Sequence, residues 1–259
     1  MKRVNLFAKG NVDVHDSLHS CRIGGELLWN GINEELRATK RDVLVRLRHE
    51  TMTRSDALLH AGGVVPDGVR EQTLSLGAYP VQSQFSRAVF DSSADAFILS
   101  LQPDVASGMM RHKAKGYYLY PSGSSTWAAE DKIWLKSEFE ALNRLSTSES
   151  MENFRAIISQ IRRTRDAAIL IYNLSPVIGN ETIHCYLGLG ETLSTRIRKF
   201  NLGLIELSEE TGISIIDVDT ILARHGAETL KVDAMHLTPE GYKLVAREVV
   251  RVLDDLGLI

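Results

Sequence analysis

The chain has 259 residues, 44% of them apolar and 24% charged, which supplies ample material for a core and excludes intrinsic disorder. Thirty basic against 33 acidic residues give a formal charge of −3, so the chain as a whole has no electrostatic drive toward nucleic acid or an anionic membrane. At about 150 residues per domain this length allows one large α/β domain or two small ones.

The chain starts Met1-Lys2-Arg3, but polar residues interrupt Val4-Asn5-Leu6-Phe7-Ala8-Lys9-Gly10 too early for the apolar region of a signal peptide. Residues 4–8 read instead as a first strand. No apolar run approaches the roughly 18 residues that a membrane span needs. A cytoplasmic protein is therefore expected, with Cys21 and Cys185 as reduced thiols.

Further short aliphatic runs at residues 42–47, 96–101, 167–172 and 213–218 read as strands buried on both faces. Between them Leu27, Leu28, Ile32 and Leu36 recur at helical spacing, as do Phe154, Ile157, Ile158 and Ile161, and finally Leu244, Val245, Val249 and Val252. Thr238 before Pro239 and Glu240 is a helix start, with a capping hydroxyl and proline at the first helical position. This alternation predicts one three-layer α/β/α sandwich around a central five-stranded parallel sheet.

Residues 111–150 interrupt the alternation with tyrosines, two tryptophans, a Pro-Ser-Gly-Ser-Ser turn and an amphipathic piece over 131–145. Such an insertion is either a lid or substrate-binding element, or a surface helical hairpin. Gly188-Leu189-Gly190 lacks the third glycine of a dinucleotide loop and reads as a turn. The basic runs at 111–115 and 162–165 read as solvated faces.

Near the C-terminus, Asp233 stands three residues before His236, a spacing that lets the carboxylate accept from one imidazole nitrogen while the other faces a cleft. Toward the other end, Ser17 follows the first strand and is expected to open a helix above the carboxyl edge of the sheet, where open α/β sheets place ligands. The helix start would also offer its free N–H to a developing oxyanion.

Asp16-Ser17-Leu18, followed by Trp29, Ile32 and Leu36, resembles the opening block of the SGNH (GDSL-type) esterase and lipase superfamily. Asp233-Ala234-Met235-His236-Leu237-Thr238-Pro239-Glu240-Gly241-Tyr242 resembles its closing block. The resemblance implies a flavodoxin-like sandwich over nearly the whole chain, outside 59–85 and 111–150, and a Ser17, His236, Asp233 triad that cleaves a small-molecule ester or transfers its acyl group, without a cofactor. It further implies an oxyanion hole from the Ser17 N–H, the Gln102 amide in place of the family's asparagine, and a donor at Glu50 or Thr51. His15, Arg48, His49 and Asp104 would line the substrate site. The chain departs from the family pattern at His15, which stands for a glycine, and after the second strand, where no glycine occurs.

Two other classes stay open. One is a small-molecule-binding protein on the same fold without catalysis. The other is a metal-dependent phosphoesterase, because Asp13-Val14-His15 after a strand resembles the opening Asp-x-His of calcineurin-like enzymes, although their later metal-binding blocks do not occur here.

Overall fold

The computed structural model describes all residues except 1, 24–25, 71–73, 164, 180 and 182–190. Cys185 and the Gly188-Leu189-Gly190 turn lie outside the described residues, whereas Cys21 is a buried free thiol. No helix among the described residues is long and apolar enough to cross a membrane.

Five parallel strands form the central sheet: β1 (Lys2–Lys9), β2 (Val43–Glu50), β3 (Ala96–Ser100), β4 (Ala168–Tyr172) and β5 (Ser214–Ile216). Their spatial order is β5-β4-β3-β1-β2, so the winding direction reverses between β1 and β3. β2 runs three residues past the predicted end at 47. Arg48, His49 and Glu50 are polar, yet they pair in register with Phe7, Ala8 and Lys9, and Lys9 Nζ donates to Glu50 Oε2 at 3.0 Å. Polarity does not end a strand whose neighbour supplies both the ladder and the counter-ion.

Strand side chains alternate between two cores. Val4, Leu6 and Ala8 of β1 and Leu170 and Tyr172 of β4 share one core with α1 (Val12–Leu18), α2 (Ile32–Ala38) and α5 (Pro239–Asp255). Phe7, Phe97, Ile169 and Ile171 share the other with α3 (Thr147–Arg162) and α4 (Leu193–Thr211). The three-layer architecture is therefore the one expected from the alternation.

Helix boundaries follow local chemistry. α5 starts at Pro239 behind Thr238, whose hydroxyl accepts from the Gly241 N–H. α3 begins at Thr147 because Ser146 and Glu149 form a reciprocal capping box, ahead of the apolar residues that suggested it. Leu27 and Leu28 belong to no helix: Glu26–Trp29 pairs antiparallel with Cys21–Ile23, and α2 starts only after Gly31, which takes φ +74°.

The two segments outside the alternation pack on each other as a small cap with its own core. Met109–His112, Tyr118–Leu119 and Phe139–Leu142 form a three-stranded antiparallel sheet. Val69, Leu76 and Phe85 from the first segment meet Leu119, Trp127, Leu135 and Phe139 from the second. The amphipathic piece predicted over 131–145 is a helix only to Glu138, after which Phe139 turns into the cap core as a strand residue. Arg111 pairs with Glu140, and Lys113 donates to the carbonyls of Lys136 and Ser137, so these cations serve the cap itself.

Asp104 is internal rather than substrate-lining, contrary to expectation. It is 1% exposed and accepts from the Ser55 N–H at 2.7 Å, the Ser55 hydroxyl at 2.5 Å and the Ser150 hydroxyl at 2.6 Å, tying three segments together. Burial pushes its carboxyl up to about 6 from an ordinary 3.8, against the pull of the two serines. A carboxyl raised by folding keeps its proton in the native state where the unfolded chain has already lost it. Its contribution to stability therefore falls as pH rises through that window. Urea midpoints of the parent and Asp104→Asn, compared from about pH 4 to about pH 7, should show the parent losing ground against the variant up to about pH 6 and holding a constant offset above it.

Candidate active site

β1 ends at Lys9, and only Gly10 and Asn11 separate it from α1. A Cβ on Gly10 would collide with the Val14 side chain, so the turn requires glycine there. The Gly10 N–H donates to Glu50 O at 3.2 Å, and its carbonyl accepts from the Met52 N–H at 3.3 Å and from His49 Nε2 at 3.1 Å. The ends of β1 and β2 are thereby locked, and Asn11 carries the first side chain beyond the lock.

Ser17 does not open the helix. It sits in the last turn of α1 with no exposure, its hydroxyl donating to Asp13 O at 2.7 Å and sharing a 3.1 Å hydrogen bond with the Tyr172 hydroxyl. No hydrogen bond joins it to His236. A hydroxyl without solvent access, committed to two internal partners, cannot meet an ester in this arrangement, and its N–H lies inside the helix rather than at a free end.

Asp233 and His236 do come together. His236 Nδ1 lies 2.8 Å and 2.9 Å from the two Asp233 oxygens, and Oδ1 also accepts the N–H of Met235 and of His236. Burial raises the Asp233 carboxyl, but these N–H groups and the ring outweigh it and hold it below its ordinary value, hence ionised. A carboxylate only accepts, so Nδ1 carries the hydrogen and Nε2 is the basic nitrogen. The ring is 46% exposed. The loop is held by an antiparallel bridge between Lys231 and Leu237, by Val232 N–H to His236 O at 2.9 Å, and by Thr238 N–H to Leu230 O at 2.8 Å.

Gln102 is not free as an oxyanion donor. Its Nε2 donates to Met235 O at 3.1 Å and its N–H to Ser100 Oγ at 3.0 Å, so it straps the histidine loop to the end of β3, while its Oε1 is buried without a partner. Ser100 in turn donates to Asp13 Oδ2, and Asp13 Oδ1 accepts the Asn11 N–H at 3.1 Å. Burial raises the Asp13 carboxyl against the Ser100 hydrogen bond.

Between the sheet edge and the cap lies a pocket of about 350 Å³ lined by Asn11, His15, His49, Glu50, Thr51, Tyr79 and Ser83, among others. His15, His49, Glu50 and Thr51 share one wall, whereas Arg48 and Asp104 stay out of it. Arg48 points to solvent, paired with Glu50 at 2.7 Å and set over the Phe7 ring. Burial alone would raise Glu50, but Lys9 and Arg48 hold it down, so it lines the pocket as an ion-paired carboxylate. His49 is pushed down to about 4, first by burial and then by His15, and stays neutral. Thr51 brings a buried hydroxyl without a partner. The opposite wall is the cap: Tyr79 stacks edge-on with Tyr120, and Gln84 clamps the backbone of both.

Asp13 and His15 do not converge as metal ligands, since Asp13 faces Ser100 and His15 Nδ1 bonds Asp16 at 2.7 Å. Among the described residues no group of three or more His, Cys, Asp or Glu side chains could hold a metal ion. Asn11 and Tyr79 were missed by sequence reasoning. For Asn11 the signal was present, because Gly10-Asn11 is a turn dipeptide directly behind the strand.

No family model and no curated protein matches the chain in sequence. In fold it is similar to a lipolytic protein of the G-D-S-L family from Veillonella parvula (11% identity, TM-score 0.50, covering 98% of this chain and 99% of that one). It is also similar to an acetylxylan esterase from Geobacillus stearothermophilus (13%, 0.53, 96% and 93%) and to an α/β hydrolase enzyme from the metagenome of Lake Arreo (15%, 0.54, 98% and 95%). The likeness is one of fold: the chain shares the α/β/α sandwich of these three proteins.

Ser17→Ala should act on stability. It strands the Tyr172 hydroxyl, 1% exposed, at a cost of about 1–3 kcal/mol. Urea unfolding read by tyrosine fluorescence checks this, with a lower midpoint and an unchanged m-value expected.

Proposed function

We propose that the protein hydrolyses a small-molecule ester at the carboxyl edge of the sheet, with His236 as general base and water as the attacking group. The observation that carries this reading is the preassembled, half-exposed Asp233–His236 pair, with Nδ1 taken and Nε2 left basic. The fold shared with a lipolytic protein and an acetylxylan esterase supports the same class of chemistry. The pocket beside Asn11 is of a size for a small ligand, and the cap that closes it acts as the lid.

In this mechanism Nε2 takes a proton as the water oxygen bonds to the acyl carbon. The same proton then passes to the alkoxide as the ester C–O bond breaks, releasing acid and alcohol. Ionised Asp233 holds the tautomer and stabilises the imidazolium between these steps. No acyl-enzyme forms, because the Ser17 hydroxyl is spent on Asp13 and Tyr172. One observation favours a second reading, a binding protein without turnover: the strand-to-helix turn presents an asparagine rather than a hydroxyl or thiol.

Hydrolysis of p-nitrophenyl acetate separates the two. His236→Ala should lower kcat by about 10²-fold or more, while Ser17→Ala, where folded, keeps turnover within about threefold of the parent. A fluorophosphonate probe should leave the parent unlabelled. Turnover indifferent to His236→Ala would overturn the assignment of the base. Labelling at Ser17 would restore a covalent mechanism, and the absence of turnover on short-chain esters would leave the binding reading.

A further inference from the structure

The sheet-side wall of the cap pocket is built to accept hydrogen bonds. His15 and His49 both line it, their ring centroids 5.3 Å apart. His15 Nδ1 lies 2.7 Å from Asp16 Oδ1, and His49 Nε2 lies 3.1 Å from the Gly10 carbonyl oxygen. A carboxylate and a carbonyl only accept, so those two nitrogens carry the hydrogens, and His15 Nε2 and His49 Nδ1 are left as lone pairs. Among the described residues neither of the two has a hydrogen-bond partner, and neither belongs to the buried unpaired atoms, so both are open to a ligand.

A second, independent observation comes from the same wall. Asn11, 7% exposed, leaves its acceptor Oδ1 buried without a partner, and the Thr51 hydroxyl is buried and unpaired as well. Buried polar groups left unmatched call for a reason, and a ligand that brings hydrogens to donate supplies one.

Charge narrows the class of that ligand. Glu50, the carboxylate of this lining, is already paired with Lys9 at 3.0 Å and with Arg48 at 2.7 Å, so it offers a cation no free negative charge. An anion would meet lone pairs, and His49, pushed down to about 4 by burial and then by His15, stays neutral and cannot receive it as an imidazolium. A neutral ligand with several hydroxyls fits both conditions. Ala78, Tyr79 and Pro80 give its carbon skeleton an apolar face, and about 350 Å³, low in the range of small-ligand sites, suits a single ring.

We propose that the cap pocket selects its ligand by hydroxyl groups: His15 and His49 accept from a neutral, single-ring polyol, and the ester taken up there is one that still carries free hydroxyls. The clause on the ester rests on the reading of this pocket as its seat, whereas recognition of the hydroxyls involves no step at His236. His15 and Thr51 are thereby residues that determine specificity.

myo-Inositol, cyclohexanol and cyclohexylammonium present one six-membered ring with six hydroxyls, with one, or with a positive charge. Ligand-observed NMR titrations measure their affinities without turnover, and the parent should bind inositol at least about tenfold more tightly than either of the others. The double variant His15→Leu, Thr51→Val should bring inositol and cyclohexanol within about threefold of each other. It should fold, because His15 is 41% exposed and valine keeps the shape of a threonine whose hydroxyl has no partner to lose. On esters, kcat/KM of the parent for trans-2-hydroxycyclohexyl acetate should exceed that for cyclohexyl acetate by about tenfold. Equal affinity for inositol and cyclohexanol, tighter binding of cyclohexylammonium, or a preference kept by the double variant overturns the ligand class, and turnover of p-nitrophenyl acetate through His236 then leaves the hydrolase reading standing. A preference for inositol that is lost in the double variant, in a protein that hydrolyses no ester, upholds the ligand class and overturns the hydrolase reading instead.

Discussion

The carboxyl edge of this protein is organised by one buried carboxylate. Asp13 is largely withdrawn from solvent, and it is held by donors from two strand ends, the N–H of Asn11 beyond β1 and the hydroxyl of Ser100 at the end of β3. Such a group is stable only when every lone pair is well served, and that demand fixes the geometry around it. The turn after β1 cannot drift from β3, and Ser100 cannot rotate away from Gln102. Gln102 in turn holds the loop that bears His236. A chain of neutral and charge-assisted hydrogen bonds thereby carries positional information from one end of the sequence to the other.

The pocket shows a related economy of charge. Lys9 and Glu50 end adjacent strands in register, and Glu50 lines the cleft with Lys9 buried behind it. Either one alone would be a costly buried ion, whereas together they neutralise each other, with Lys9 also reaching the cap through Ser83 O at 3.1 Å. His49, crowded by His15 and withdrawn from water, stays uncharged. The cleft is therefore polar with its charges compensated. The cap contributes Tyr79 and Ser83 to this wall while keeping its own separate core.

Much of this was legible from residue order. The five strands, the capped start of α5 and the Asp233–His236 spacing all depend on contacts within a few residues, and local pattern reports such contacts well. The strand ends were less legible, since Arg48 to Glu50 continue β2 only because β1 stands beside them. Leu27 and Leu28 read as helical by spacing, yet antiparallel pairing with Cys21–Ile23 and a positive-φ glycine place them in a strand. Ser17 was the most instructive difference. Its neighbours Asp16 and Leu18 carry the look of a nucleophile block, but the register of a helix is counted from where the strand stops. β1 runs on to Lys9, which buries the serine and brings Asn11 to the turn.

The sequence by itself determined the layer architecture and the pairing of a carboxylate with a histidine, because periodicity and short spacing are local properties that the backbone converts directly into faces and neighbours. Tertiary structure decided which side chain stands at the mouth of the site. That outcome depends on β1 pairing with β2 and β3, on a glycine forced by the closeness of Val14, and on a cap assembled from segments dozens of residues apart. The strand pairing and the cap have no local signature, because the energy that selects them is shared among residues brought together only by the fold.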